Sequence, residues 1–196
     1  HRSSDPPGRI RAPGAETASM LALVLGLLSV GETHVENVPE SDEVLAIAEA
    51  CRKLGAVIER TGDGAWRICG VGVGSVLAPE GRLDFDGAET AAILVMGVVA
   101  GHGVTASLGG DLTLVAHPTL DVLMFLAKMG AEIITTTEGT RLFHTLRGAL
   151  DPVPSVWRLP DACASSAATL ELATAALLLA GLNAPGETAV IVPKAT

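Results

Sequence analysis

The chain repeats itself. Gly14-Ala15-Glu16-Thr17-Ala18 recurs as Gly87-Ala88-Glu89-Thr90-Ala91, 73 positions on, and Lys53-Leu54-Gly55-Ala56-Val57-Ile58 recurs as Lys128-Met129-Gly130-Ala131-Glu132-Ile133, 75 positions on. Two matches in one order at nearly one offset mark a duplicated supersecondary block, which buries its apolar face against its neighbours. A third copy starts late, where Gly186-Glu187-Thr188 echoes Gly31-Glu32-Thr33 just after a long apolar stretch.

Within each copy the same elements follow in order. A short strand (9–12, 83–86, 156–159) leads into an apolar helix (16–29, 89–100, about 164–180) and a second strand (33–38, 104–108, 188–192). Gly-rich turns open the first two helices, and a glycine follows each helix closely. An amphipathic helix follows at 41–54 and 120–129. In the first of these Val44, Leu45, Ile47, Ala48, Cys51 and Leu54 share one face, with Ser41 as N-cap and Asp42 and Glu43 in the first turn. A hairpin closes the unit at 56–60 and 65–69, and again at 132–136 and 141–146. The fold class is therefore α/β, one domain over 8–196 made of β-α-β-α-β-β units. Two are complete (about 9–82 and 83–152), and a third (153–196) stops before its second helix and hairpin. Residues 1–7 read as a tag or disordered start.

With 48% hydrophobic but only 3% aromatic residues, the core must be built from Ala, Leu, Val and Ile. The net charge of −9 and the lack of any Lys/Arg run exclude nucleic acid and anionic membrane surfaces as expected partners. The stretch 18–30 is too short to span a bilayer, and 162–182 carries Glu171 among small and hydroxyl residues, so both read as buried helices. Cys51, Cys69 and Cys163 are odd in number and widely spaced. No disulfide framework or metal site is expected, Cys51 and Cys69 read as buried thiols, and the compartment as cytoplasmic. His34, His102 and His144 have no Ser or Cys partner at a catalytic spacing and read as solvated. The run Gly70-Val71-Gly72-Val73-Gly74 follows a strand but opens no helix, so it does not read as a phosphate loop.

Several stretches together resemble EPSP synthase, 3-phosphoshikimate 1-carboxyvinyltransferase, nearer to its glyphosate-tolerant bacterial class. They are Pro13-Gly14, Leu77-Ala78-Pro79-Glu80, Leu83-Asp84-Phe85, Gly110-Asp111, Pro118, Met129-Gly130-Ala131, Ala180-Gly181-Leu182-Asn183 and Pro185-Gly186. The resemblance runs from about residue 8 onward. It implies one of the two globular domains of such an enzyme, which transfers the enolpyruvyl group of phosphoenolpyruvate to the 5-hydroxyl of shikimate 3-phosphate without metal or cofactor.

Both substrates are multiply anionic, so such a site needs converging Lys and Arg. The family's Pro-Gly-Asp-Lys-Ser-Ile-Ser-His-Arg stands here as Pro13-Gly14-Ala15-Glu16-Thr17-Ala18-Ser19-Met20-Leu21, with Glu16 at the phosphate-binding Lys and Leu21 at the Arg. Its Asn-Ala-Ala-Thr-Gly with a following Arg stands as Gly87-Ala88-Glu89-Thr90-Ala91 with Ile93. Glu89 suits the positive end of a helix and takes the place an anionic ligand would occupy. The Arg of Lys-Arg-Pro becomes His117. The Ser-Ala-Gln motif matches either Cys163-Ala164-Ser165 or Leu170-Glu171-Leu172. Exchanging a cation for a carboxylate beside a phosphate costs several kcal/mol at the low effective dielectric of a cleft. The expected function is an EPSP synthase-like domain without activity on its own, acting as a scaffold or interaction domain. The alternative is a divergent carboxyvinyltransferase that needs a second domain. Expected partners are a second copy of the chain or a C-terminal EPSP synthase-like half.

Overall fold

Every apolar stretch with helical length becomes a helix, and each is followed by a strand that returns along it. The computed structural model describes residues 14–111, 117–160 and 166–193, the backbone alone at 111 and 117–121. In chain order the elements are α1 (Glu16–Leu27), β1 (Val30–Val35), α2 (Asp42–Lys53), β2 (Val57–Gly62), β3 (Ala65–Val71), β4 (Leu83–Asp84), α3 (Glu89–Ala100), β5 (Thr105–Asp111), α4 (His117–Lys128), β6 (Glu132–Glu138), β7 (Arg141–Arg147), β8 (Val156–Arg158), α5 (Ala167–Gly181) and β9 (Ala189–Ile191). The strand expected at 9–12 lies outside the described residues.

The strands form three sheets, ordered β1-β3-β2, β4-β5-β7-β6 and β8-β9. β3 is central to the first, antiparallel to both neighbours, and β7 holds the same place in the second. The strands that flank an apolar helix run parallel, β4 with β5 and β8 with β9, as a crossover through one helix requires. Arg67 on β3 ties its sheet across the outer face, reaching Glu32 on β1 at 2.7 Å and Glu59 on β2 at 2.6 Å.

α3 is the centre of the molecule. Its residues 91–100 are all buried, with α1, α2, α4 and α5 packed around it. Close approach to α5 depends on two glycines. A Cβ on Gly97 would strike the Ala176 carbonyl oxygen, and one on Gly101 would strike that of Ala180. Both contacts advance by four residues in the same sense, so the two helices run parallel. The Asn183 amide then donates to the Gly101 carbonyl at 2.9 Å and pins the end of α5 to the end of α3.

The structure corrects several expectations. α1 ends at Leu27, where Leu28 closes the last turn, and β1 starts at Val30, because β3 offers it partners from Val71 to Trp66. α4 begins at His117, three residues early. Leu45 is 36% exposed, off the buried stripe of Val44, Ile47, Ala48 and Cys51. Cys69 is half-buried, since it points to the outer face beside the Glu32 carboxylate, whereas Cys51 is fully enclosed. His102 and His144, expected in solvent, are 2% and 0% exposed. Each ring fills core space and spends Nδ1 on a near neighbour, His102 on the Val98 carbonyl at 2.7 Å and His144 on the Thr135 hydroxyl at 2.9 Å. Among the described residues no helix is long and apolar enough to cross a membrane.

Candidate functional site at three helix N-termini

α1, α3 and α5 begin at the same end of the molecule, and their first turns enclose a cavity of about 530 Å³. α1 contributes Thr17 and Leu21; α3 contributes Glu89, Thr90, Ile93 and Leu94; α5 contributes Ala168, Thr169, Glu171, Leu172 and Ala175. Five of the residues picked out in the sequence, Thr17, Leu21, Glu89, Thr90 and Ile93, are therefore brought together. Glu16 is exposed and does not line the cavity, and Gly87 is also exposed. Gly87 serves the backbone: its φ of 71° turns the chain from β4 into α3, a conformation that side chains resist. His117 is the first residue of α4, and its side chain lies outside the description. Cys163 lies outside the described residues, whereas Glu171 and Leu172, from the second alignment of that motif, line the cavity.

Three helix starts facing one cavity would ordinarily attract an anion, because each presents unpaired N–H groups and a partial positive charge. The side chains oppose it. Glu89 and Glu171 place carboxylates on the lining, and among the described residues no Lys or Arg lines it. Two of the helix starts are also already served. Ser166 caps α5 by accepting from the Thr169 N–H at 3.0 Å. At α3 the cap comes from another element: the Glu43 carboxylate of α2 accepts from the Thr90 N–H at 3.1 Å and the Ala91 N–H at 2.7 Å.

Glu43 thus does what the sequence suggested for Glu89. Its position in the first turn of α2 identified it only as a local helix charge, and α2 is indeed capped locally, by Ser41 accepting from the Val44 N–H at 3.4 Å. Nothing local signals that the carboxylate 47 residues upstream reaches the next unit's helix; Leu94, Thr169 and Ala175 on the cavity wall were equally silent.

A sequence model of EPSP synthase (3-phosphoshikimate 1-carboxyvinyltransferase) matches residues 2–195. The chain belongs to the EPSP synthase family. It is 47% identical over 189 residues to the 3-phosphoshikimate 1-carboxyvinyltransferase of Methylobacterium sp. (strain 4-46), covering 96% of this chain and 40% of the relative. With the protein of that name from Afipia carboxidovorans it shares 45% over 196 residues, 100% of this chain and 42% of the relative. The structure of EPSP synthase from Acinetobacter baumannii superposes with a TM-score of 0.83 at 30% identity, over 96% of this chain and 41% of that one. The chain therefore spans about two fifths of the length of these EPSP synthases.

Other reactive groups lie away from the cavity. Burial pushes the Cys51 thiol up to about 12, so it stays protonated and inert. Burial holds the His102 imidazole below its ordinary value, only partly offset by its bond to Val98. Arg82 and Arg141 stack about Phe143 and are held by Glu138 and Asp84, which ties β4 and the residue before it to β6 and β7 of the same sheet. Among the described residues no three His, Cys, Asp or Glu side chains gather closely enough to hold a metal.

Proposed function

We propose that this EPSP synthase-family chain does not carry out enolpyruvyl transfer by itself and works as a scaffold or interaction domain. One observation carries the reading: the cavity where the three apolar helices begin is lined by Glu89 and Glu171 and, among the described residues, by no cation. Phosphoenolpyruvate and shikimate 3-phosphate would each bring phosphate and carboxylate into that field. The positions that the family resemblance matches to Lys and Arg are Glu16, Leu21, Ile93 and His117, of which only His117 can become positive near neutral pH. The net charge of −9 adds a repulsion that salt screens beyond about 8–10 Å.

The second reading, a divergent carboxyvinyltransferase completed by another domain, draws support from Thr17 and Thr90, whose hydroxyls remain at the cavity. Thermal unfolding with millimolar phosphoenolpyruvate and shikimate 3-phosphate, beside a phosphate-release assay, separates the two. A ligand that binds only the folded chain must raise its melting temperature. We expect no saturable shift and no turnover; either one would favour the transferase.

A further inference from the structure

The two hairpins end their sheets in equivalent outer strands, β2 and β6, each paired among the described residues with one neighbour, β3 or β7. The repeat places no further strand on either, since the hairpin is the last element of its unit and its first strand lies outermost. The two free edges are built differently. β2 is guarded: its register shifts between Arg60 and Gly62, which twists the edge. The Arg52 guanidinium donates to the Ile58 carbonyl from Nε and from Nη2, each at 3.2 Å. Glu59 and Arg60 add charge, with Arg60 held by Glu40 at 3.0 Å. Bulges and charges of this kind keep an edge from pairing with another chain.

β6 carries none of these. Its seven residues keep one register against β7, from Glu132↔Arg147 to Glu138↔Arg141. The repeat puts Ala127 where Arg52 stands and Ile133 where Ile58 stands, and α4 holds no Arg. The interior, Ile133-Ile134-Thr135-Thr136-Thr137, is uncharged and β-branched throughout, with 134–137 exposed. The end carboxylates are matched on their own sheet, Glu132 by Arg147 at 3.5 Å and Glu138 by Arg82 at 2.7 Å. The two-residue turn at Gly139-Thr140 closes on the Glu138–Arg141 pair. Alternation along the ladder then turns the N–H and C=O groups of Ile133, Thr135 and Thr137 to the open edge.

We propose that β6 is a self-association edge, pairing antiparallel with β6 of a second copy about a two-fold axis at Thr135 and joining two four-stranded sheets into one. The strand is complementary to itself in that register, which singles out a second copy over a strand of another protein. Thr135 meets its own copy and Ile133 meets Thr137, so the outward backbone groups exchange hydrogen bonds. Ile134 meets Thr136, a β-branched pair that packs across strands. Glu132 meets Glu138, and Arg147 and Arg82 offset the like charges there. The far edge of the sheet is β4, only two residues long, so pairing stops at a dimer. The net charge of −9 on each copy opposes association and makes it stronger in salt.

The test is sedimentation velocity of the chain from about 5 µM to about 0.5 mM in about 0.5 M NaCl, with amide hydrogen exchange at both ends of that range. We expect a dimer with a dissociation constant of about 10–200 µM, as suits a small interface. The amides of Ile133, Thr135 and Thr137 should be protected in the concentrated chain and exchange freely in the dilute one. Two variants probe the edge. Thr137→Pro removes an outward N–H and leaves the ladder to β7 intact. Ile134→Glu, at a position 63% exposed, sets a carboxylate near the partner's Glu138. Each should weaken the dimer at least about tenfold, with the melting temperature of the dilute Ile134→Glu chain unchanged. A monomer at every concentration, a dimer whose three amides exchange as fast as in the dilute chain, a dimer indifferent to both variants, or growth beyond a dimer would overturn the proposal. None of these failures touches the reading of inactivity, which is measured with phosphorylated ligands.

Discussion

α3 and α5 are written in the same letters and live in different surroundings. Both are runs of Ala, Leu and Val or Thr with one acid near the start. α3 is enclosed on every side from Ala91 to Ala100. α5 buries Ala173, Ala176, Leu177, Leu179 and Ala180, and leaves Leu178 and its C-cap Leu182 nearly half exposed. Apolar composition says that a helix needs cover; only the neighbours decide whether it receives it. The starts of the two helices differ in the same way. α5 is capped from within its own turn by Ser166, α3 across the unit boundary by Glu43.

Substitutions should expose that difference, most strongly along the α3–α5 contact. Gly97→Val would drive a branched side chain into the Ala176 backbone, and we expect a loss of about 3 kcal/mol or more by chemical denaturation. Met96→Ala, at a fully buried position, should cost about 2–4 kcal/mol, whereas Leu182→Ala at the C-cap of α5 should stay within about 0.5 kcal/mol. If Leu182→Ala costs as much as Met96→Ala, α5 is covered in solution and the comparison fails.

The caps give a smaller contrast. Glu43→Ala removes a charged acceptor from two α3 N–H groups and should cost about 2 kcal/mol; Ser166→Ala should cost about 1 kcal/mol. Amide hydrogen exchange would separate them, with Thr90 and Ala91 deprotected only in the first and Thr169 only in the second. The smallest effect belongs to pH. His102 at the end of α3 is held neutral by burial, so the unfolded chain binds a proton that the folded chain resists. Stability is then whole above the ordinary value of 6.5 and falls as pH drops below it. Urea midpoints at about pH 7.5 and about pH 5.5 should show that decline, and His102→Gln should reduce it.

The order of elements was legible because the chain carries each pattern more than once: the GAET match located the starts of α1 and α3, and Ser41 located the start of α2. What stayed hidden depends on contacts between units. Leu45 has the right spacing for the buried face yet sits just outside the area that α1 and α3 cover, and His102 and His144 look like ordinary polar residues until the core closes around them. At the site, Thr17, Leu21, Glu89, Thr90 and Ile93 were found because each follows a helix start that the repeat or the family resemblance fixed. Glu43 was missed because its partner amides are a whole unit away in sequence.

The central claim is that the common opening of α1, α3 and α5 has lost its affinity for anions. Isothermal titration of shikimate 3-phosphate into the chain near neutral pH, at low salt where attraction would be greatest, reads that directly. The account predicts dilution heat alone up to about 1 mM ligand; a saturable one-to-one heat, abolished by substituting a residue that lines the cavity, would contradict it.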